Sequence, residues 1–354
     1  MSQVFDCGLV VGKFCPLHLG HEFLIRQAQT ACREVLVISY TKPSFPGYDS
    51  ERRETWLQAR FPELMTRVID ECRLIALCQE SGITSISEIP PDDAPDDAHR
   101  NFVAWLCRDV LRKKVDSVFT SESYGDGFAG VLSQYFGHHV THICVDQARV
   151  TIPVSGTAIR ANPLAHREFL SSEVYASFIP RVCLLGGESS GKTTLAACLA
   201  KALQTTWVAE YGRSLWEAKQ GQLEFQDMLR IGQMQIARED EQARQANSVL
   251  ICDTSPLTTA FYSQELFGRV EDELSRMADR HYDLILLCAP DFAFVQDGTR
   301  QDQAFRLRQH RWYIYAMKCR GFSHREVGGP PDQRLAEGIS LIKQMLLNQA
   351  LFES

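Results

Sequence analysis

The residues Gly186-Gly187-Glu188-Ser189-Ser190-Gly191-Lys192-Thr193 read G-x-x-x-x-G-K-T. Glycines in such a loop let the backbone N–H groups from Gly187 to Gly191 close around phosphate oxygens. The helix that follows adds the partial positive charge of its N-terminus. Lys192 is placed to reach β and γ phosphates, the Thr193 hydroxyl to ligate Mg2+, and Thr194 to close the cradle. The apolar run Val182-Cys183-Leu184-Leu185 before it is strand-like and Thr194 to Ala200 after it is helix-like. That strand–loop–helix context separates a phosphate loop from a chance glycine-rich turn. The second half of the chain therefore reads as a site for a nucleoside triphosphate such as ATP.

A different set stands in the first half. The strand-like run Cys7 to Val11 leads into Gly12-Lys13-Phe14 and then His18-x-Gly20-His21 at the start of a helical pattern. Two imidazoles three apart share one side of a first turn, and Gly20 allows close approach of a ligand. Ring donors beside a helix N-terminus suit a polyphosphate whose charge shifts during reaction. His-x-x-His can also begin a metal site, but no matched Cys, Glu or Asp partner stands nearby. Pro153-Val154-Ser155-Gly156-Thr157-Ala158-Ile159-Arg160 follows later: Ser155 and Thr157 can cap a helix whose first turn projects Arg160 as a phosphate clamp. Thr120-Ser121-Glu122 ends a further strand, where open α/β sheets hold their ligands. His138, His139 and His142 lack carboxylate or thiolate companions and read as surface or strand histidines.

Beyond the phosphate loop, Glu210 follows a short strand and could take a proton from a substrate hydroxyl. Asp253 ends the apolar strand Val249 to Cys252, as a Walker B aspartate does, near Mg2+ or as a base. Among the arginines after the last core strand, Arg300 and Arg306 are the candidates for stabilising a transferring phosphoryl group.

Strands and helices must alternate to present these loops on one sheet edge. The expected class is α/β, with two parallel-sheet domains over 1–175 and 176–354: a Rossmann-like first and a P-loop second. Val35 to Tyr40, Val68-Ile69, Leu74 to Leu77, Val115 to Phe119 and Val140 to Val145 supply strand material in the first half. Pro90 to Asp97 reads as a solvated loop, and Asp332 to Gln349 as a closing amphipathic helix. At 354 residues two domains are expected, and 45% hydrophobic content supports large cores. A net charge of −7 argues against a general nucleic-acid or membrane-surface binder. The twelve cysteines contain no C-x-x-C pair, so zinc and disulfide scaffolds are not expected. Without a visible signal peptide or a spanning apolar run, the expected compartment is the cytoplasm.

H-x-G-H early with [IV]-S-x-T-x-x-R late resembles the paired signature of the nucleotidylyltransferase superfamily. The whole chain resembles the bifunctional NadR-type proteins, from Gly12-Lys13-Phe14 through His21, Thr120 to Asp126, and Pro153 to Pro163. The join Arg181 to Lys192, Glu210-Tyr211 and Asp297-Gly298-Thr299-Arg300 extend the likeness. The resemblance implies a ribosylnicotinamide kinase joined to a nicotinamide-nucleotide adenylyltransferase. Its substrates would be nicotinamide riboside, NMN and ATP, with Mg2+, and NAD as product. It assigns His18, His21 and Arg160 to adenylyl transfer; Lys192, Thr193, Glu210 and Asp253 would serve the kinase. Trp56 is the aromatic side chain expected to stack on nicotinamide. Some members carry an N-terminal helix-turn-helix; here the first catalytic strand begins almost at once, so the resemblance gives no support for DNA binding. It leaves room for a functional link to a nicotinamide riboside transporter and for a homo-oligomer. Two rivals stay open: another phosphate acceptor for the first domain, or a first domain that senses NAD and regulates the kinase.

Overall fold

In a computed structural model, which describes residues 5–40, 45–293 and 301–352, the chain divides into two compact units, Met1–Val174 and Tyr175–Ser354. Each unit holds a five-stranded sheet, and every strand pairing in the two sheets is parallel.

In the first unit the strands are β1 (Phe5–Val11), β2 (Cys32–Tyr40), β3 (Met65–Ile69), β4 (Ser117–Thr120) and β5 (Thr141–Cys144), in the order β3-β2-β1-β4-β5. The order reverses between β1 and β4, a doubly wound switch point, and ligands in such sheets bind outside the carboxyl strand ends there. β1, β2 and β4 are nearly continuous apolar runs, as strands covered on both faces must be. One side of the core gathers Leu9, Leu36, Ile38, Ile69, Leu74, Val118, Phe128 and Leu132. Each such side chain contributes about 1.5–3 kcal/mol by leaving water.

The second sheet comprises β6 (Arg181–Leu185), β7 (Trp207–Val208), β8 (Leu250–Asp253), β9 (Leu284–Cys288) and β10 (Arg325–Val327), in the order β10-β9-β6-β8-β7. β6 is central, so the loop leaving it opens at the middle of the sheet edge. The closing helix Pro331–Phe352 covers one face, with Ile342 fully buried among Leu199, Leu286 and Val327.

One expectation fails here. Leu74 to Leu77 is not a strand but lies inside the helix Glu71–Glu80. Asp70 caps that helix by accepting from the Arg73 amide, and four apolar residues cannot by themselves distinguish the two states. Among the described residues, no helix is long and apolar enough to cross a membrane.

Candidate functional site

The loop after β6 is shaped by backbone that most residues avoid. Gly186, Ser189 and Gly191 all have positive φ, and a Cβ at Gly191 would stand 3.0 Å from Phe292. Lys192 opens the helix Lys192–Ala202 and donates to the Gly186 and Gly187 carbonyls at 2.9 and 3.0 Å. Ser190 Oγ donates to Gly187 O at 2.7 Å. From behind, the buried guanidinium of Arg334 donates to Ser190 O and Ala289 O, at 3.0 and 2.9 Å, and pairs with Asp291. The Arg334 charge also lies over the Phe292 ring. Neither arginine nor ring appeared in the sequence motif, yet they hold its loop.

Glu188 to Thr194 line a cavity of about 600 Å³ with Glu210, Arg213, Gln235, Tyr262 and Arg308. Gly187 backs the loop: a Cβ there would meet the Arg306 backbone at 2.6 Å. Glu210 precedes the helix Tyr211–Ala218. Burial, reinforced by the Asp253 charge, raises its carboxyl from 4.5 to about 7 against the pull of Lys192 and Arg213. Asp253 is completely buried at the end of β8 and accepts the Thr193 hydroxyl at 2.6 Å through Oδ2. Its pKa is also raised by burial, opposed by Lys192 and the Thr193 bond. Its Oδ1 is buried without a hydrogen-bond partner among the described residues. A hydroxyl and a carboxylate with a vacant oxygen form a donor set suited to hydrated Mg2+.

One expectation is corrected. Arg306 does not enter this cavity; it is 1% exposed and donates to Phe292 O at 2.9 Å. Helical spacing turns 306, 309, 310 and 313 inward on Gln303–Cys319, whereas Arg308, which does line the cavity, faces outward. Arg300, with Asp297, Gly298 and Thr299, lies outside the described residues.

In the first unit a second cavity of about 560 Å³ brings together Gly12, Lys13, Phe14, His18, His21, Thr120, Ser121, Glu122, Ser155, Thr157 and Arg160. They come from the carboxyl ends of β1 and β4 and from the segment after β5. His18 caps the helix Leu19–Ala31: its Nδ1 accepts from the Gly20 and His21 amides at 3.1 and 3.4 Å. An acceptor Nδ1 leaves the ring proton on Nε2. The His18 and His21 rings stack at 3.7 Å. Burial, aided by the Arg149 and Arg160 charges, lowers His18 from 6.5 to about 4. His21 is also held well below its ordinary value, by burial first and then by His18. Both rings are therefore neutral donors at pH 7, not cations.

Ser155 caps the helix Gly156–Ala161 by accepting from the Ala158 amide at 3.2 Å. A Cβ at Gly156 would stand 3.4 Å from Arg160 Nη1 and 3.9 Å from His18 Nε2, so glycine keeps this corner open. Arg160 donates to Cys15 O and to Thr157 Oγ1, at 2.6 and 3.0 Å, with its charge over the Phe45 ring. Lys13 pairs with Asp92 at 3.2 Å.

A family model described as an AAA domain matches residues 181–334. The trifunctional NAD biosynthesis/regulator protein NadR of Escherichia coli (strain K12) is 29% identical over 308 residues, covering 83% of this chain and 71% of that one. The protein of that name from Salmonella typhimurium (strain LT2) is also 29% identical over 308 residues, covering 83% and 72%. Over most of its length this chain is similar to NadR proteins. Solved NadR structures share its fold over 98% of both chains. One, in complex with NAD and AMP-PNP, has a TM-score of 0.68 at 21% identity; another, in complex with NR, has 0.67 at 20%.

Several residues that line the two cavities are not marked by any sequence motif. Asp92, Asp96, His99 and Arg100 line the first-unit cavity, so the Pro90–Asp97 stretch is not merely a solvated loop. Its acidic and proline composition matches a surface loop equally well, and only the Lys13–Asp92 pair reveals the difference. His142, expected to be a surface or strand histidine, does lie on β5, where it stands 2.9 Å from Thr120 Oγ1 and 2.8 Å from Asp126 Oδ1. It therefore braces the turn after β4. Trp56 is 2% exposed in the core and does not line the cavity, so it is not placed to stack on a ligand.

Proposed function

We propose that the chain is a two-site enzyme of NAD synthesis. The Tyr175–Ser354 unit phosphorylates the 5′ hydroxyl of nicotinamide riboside with ATP. The Met1–Val174 unit transfers the adenylyl group of a second ATP to NMN, giving NAD and pyrophosphate. The observation that carries this reading is the pair of separate cavities, one in each unit, each combining carboxyl strand ends with a helix N-terminus and cationic side chains. Relatives named for NAD biosynthesis, and NadR structures holding NR in one case and NAD with AMP-PNP in the other, support the choice of substrates.

In the kinase unit, loop amides and Lys192 hold the phosphates. The 5′ oxygen attacks the γ phosphorus, the bond to the β,γ-bridging oxygen breaks, and ADP departs. Glu210 takes the hydroxyl proton; with its pKa near neutrality it can do so and later release it. Thr193 and Asp253 would hold Mg2+, which when bound neutralises charge between the β and γ phosphates.

In the other unit an NMN phosphate oxygen attacks the α phosphorus and pyrophosphate leaves. No covalent enzyme intermediate is required, because the substrate supplies the nucleophile. The protein supplies alignment and charge stabilisation. His18 Nε2–H, the amides at the start of Gly156–Ala161 and the Arg160 guanidinium are the donors. Neutral histidines suit this role: they hydrogen-bond to the departing pyrophosphate without the cost of burying a charge.

The test is a pair of assays, riboside plus ATP for the kinase and NMN plus ATP with pyrophosphate detection for the transferase. Lys192→Ala is expected to abolish only the first, and His18→Ala only the second. Loss of both activities in both variants would overturn the two-site assignment. NAD binding without pyrophosphate release in the wild type would replace the transferase with an NAD-sensing domain.

A further inference from the structure

We infer that Gln235 reads the phosphoryl acceptor: its side-chain amide donates a hydrogen bond to an uncharged oxygen of the nucleoside bound beside Glu210. The inference rests on the kinase reading above and deepens it.

Gln235 lies on the helix Phe225–Ala243 and is 2% exposed. It lines the same cavity as Lys192 and Glu210. Its Oε1 accepts from the Tyr211 amide at 3.0 Å. A backbone N–H can only donate, so this bond fixes the side-chain amide's orientation, with oxygen toward Tyr211 and nitrogen away from it. Nε2 then has no hydrogen-bond partner among the described residues. A buried amide donor is rarely left unpaired, and a cavity wall is where a ligand can satisfy it.

The surroundings narrow the ligand chemistry. Met228 and Ile231 lie seven and four residues earlier on the same helical face and line the same cavity. They form an apolar strip that ends in one neutral donor. The Tyr262 hydroxyl donates to Glu188, at 2.9 Å. The cavity wall carries carboxylates at Glu188 and Glu210 and cations at Lys192, Arg213 and Arg308, whereas the Gln235 donor is neutral and selects an uncharged acceptor oxygen. A flat, uncharged or cationic nucleoside fits this wall, with a base carbonyl or a sugar hydroxyl as the acceptor. Gln235 also has a second role, because Tyr211 is the first residue of the helix that Glu210 precedes. Its oxygen helps fix where the proton acceptor stands while its nitrogen contacts the substrate.

The test uses the whole chain in the riboside-plus-ATP assay. Gln235→Glu keeps an oxygen for the Tyr211 amide and replaces the donor with a second oxygen. The KM for nicotinamide riboside is expected to rise roughly 10- to 100-fold. The new carboxylate also raises the Glu210 pKa, so kcat is compared on its high-pH plateau; there it is expected to change less than about threefold and the KM for ATP to stay put, because an interaction lost equally from ground and transition states appears in KM. Gln235→Leu removes both bonds and should lower kcat as well. Two analogues identify the oxygen: pyridine riboside without the carboxamide, and the 2′-deoxyriboside. Wild type should lose roughly tenfold on one of them, and Gln235→Glu should lose nothing further on that one. The wild-type comparison also keeps the inference testable if a variant does not fold. An unchanged riboside KM in Gln235→Glu, or wild-type indifference to both analogues, overturns the inference and leaves the kinase reading standing. A wild type that does not phosphorylate the riboside overturns both.

Discussion

Replacing Glu210 with Gln should stabilise the second unit while stopping its chemistry. The folded environment raises this carboxyl from 4.5 to about 7, with burial the largest cause and Asp253's charge next. At about 1.4 kcal/mol per tenfold, that corresponds to about 3 kcal/mol of preference for the uncharged acid. The sign follows from proton linkage. Because the folded pKa is the higher one, the group's favourable contribution is complete below pH 4.5 and is lost as pH rises through about 7. At pH 8 the native state therefore carries a buried charge that the unfolded chain hydrates freely. Glutamine fills the same volume and never ionises. Thermal melts at pH 8 should place the Glu210→Gln transition about 6–12 °C above wild type, given about 2–4 °C per kcal/mol for a unit of this size. At pH 5 the two should agree within about 2 °C. Wild-type kinase turnover should rise with pH through about 7, and the variant should lose roughly 10²- to 10⁴-fold in kcat. A variant that melts no higher than wild type at pH 8, or keeps turnover within about tenfold, would refute the assignment of Glu210 as a strained base.

Other perturbations test the same picture. His18 has the opposite sign: its folded pKa is lowered from 6.5 to about 4, so its contribution is complete above pH 6.5 and fades as pH falls through about 4. The first unit should lose up to about 3 kcal/mol over that window, and His18→Gln should flatten the loss; equal acid sensitivity in urea melts would count against it. Asp92→Ala frees Lys13 from a pair whose side chains are 48% and 22% exposed, worth about 0.2–1 kcal/mol. The KM for ATP in the NMN assay should fall up to about fivefold at low salt, and the gain should vanish at high salt; an unchanged KM would show that the pair does not compete with phosphate. Arg334→Lys keeps the charge but loses the planar fork that joins Ser190, Ala289 and Asp291. It should cost about 2–4 kcal/mol in urea unfolding and raise the kinase KM for ATP, whereas wild-type behaviour in both would show that the loop stands without its strut.

What could be read from the chain alone divides by the distance over which each requirement acts. The turns at Gly186–Lys192, His18–His21 and Ser155–Arg160 carry their own geometry: positive φ, a capping side chain and a helix N-terminus fall within eight residues or fewer of sequence. Their residue types are therefore constrained locally, and both sheets follow from the strand runs that feed them. The supports are not local. Arg334 reaches Ser190 across 144 residues, and Gln235 reaches Tyr211 across 24. Nothing near either position marks it as different from an ordinary helix residue. Arg306 shows the converse failure: clustered arginines signal positive charge, but only the facing of Gln303–Cys319 decides which guanidinium meets the cavity and which is buried under the loop. Trp56 failed for the same reason, since aromatic character serves a core as well as a ligand. Phosphate recognition uses backbone amides and helix ends, which one short stretch can provide. Recognition of the acceptor, as proposed above, would use side chains converging from several elements, and Glu210, Gln235 and Tyr262 line one cavity from different elements. A motif can thus identify the phosphate donor, whereas the identity of the acceptor depends on tertiary structure. Substitutions that change acceptor preference are therefore expected on the inner face of Phe225–Ala243, not in the phosphate loop.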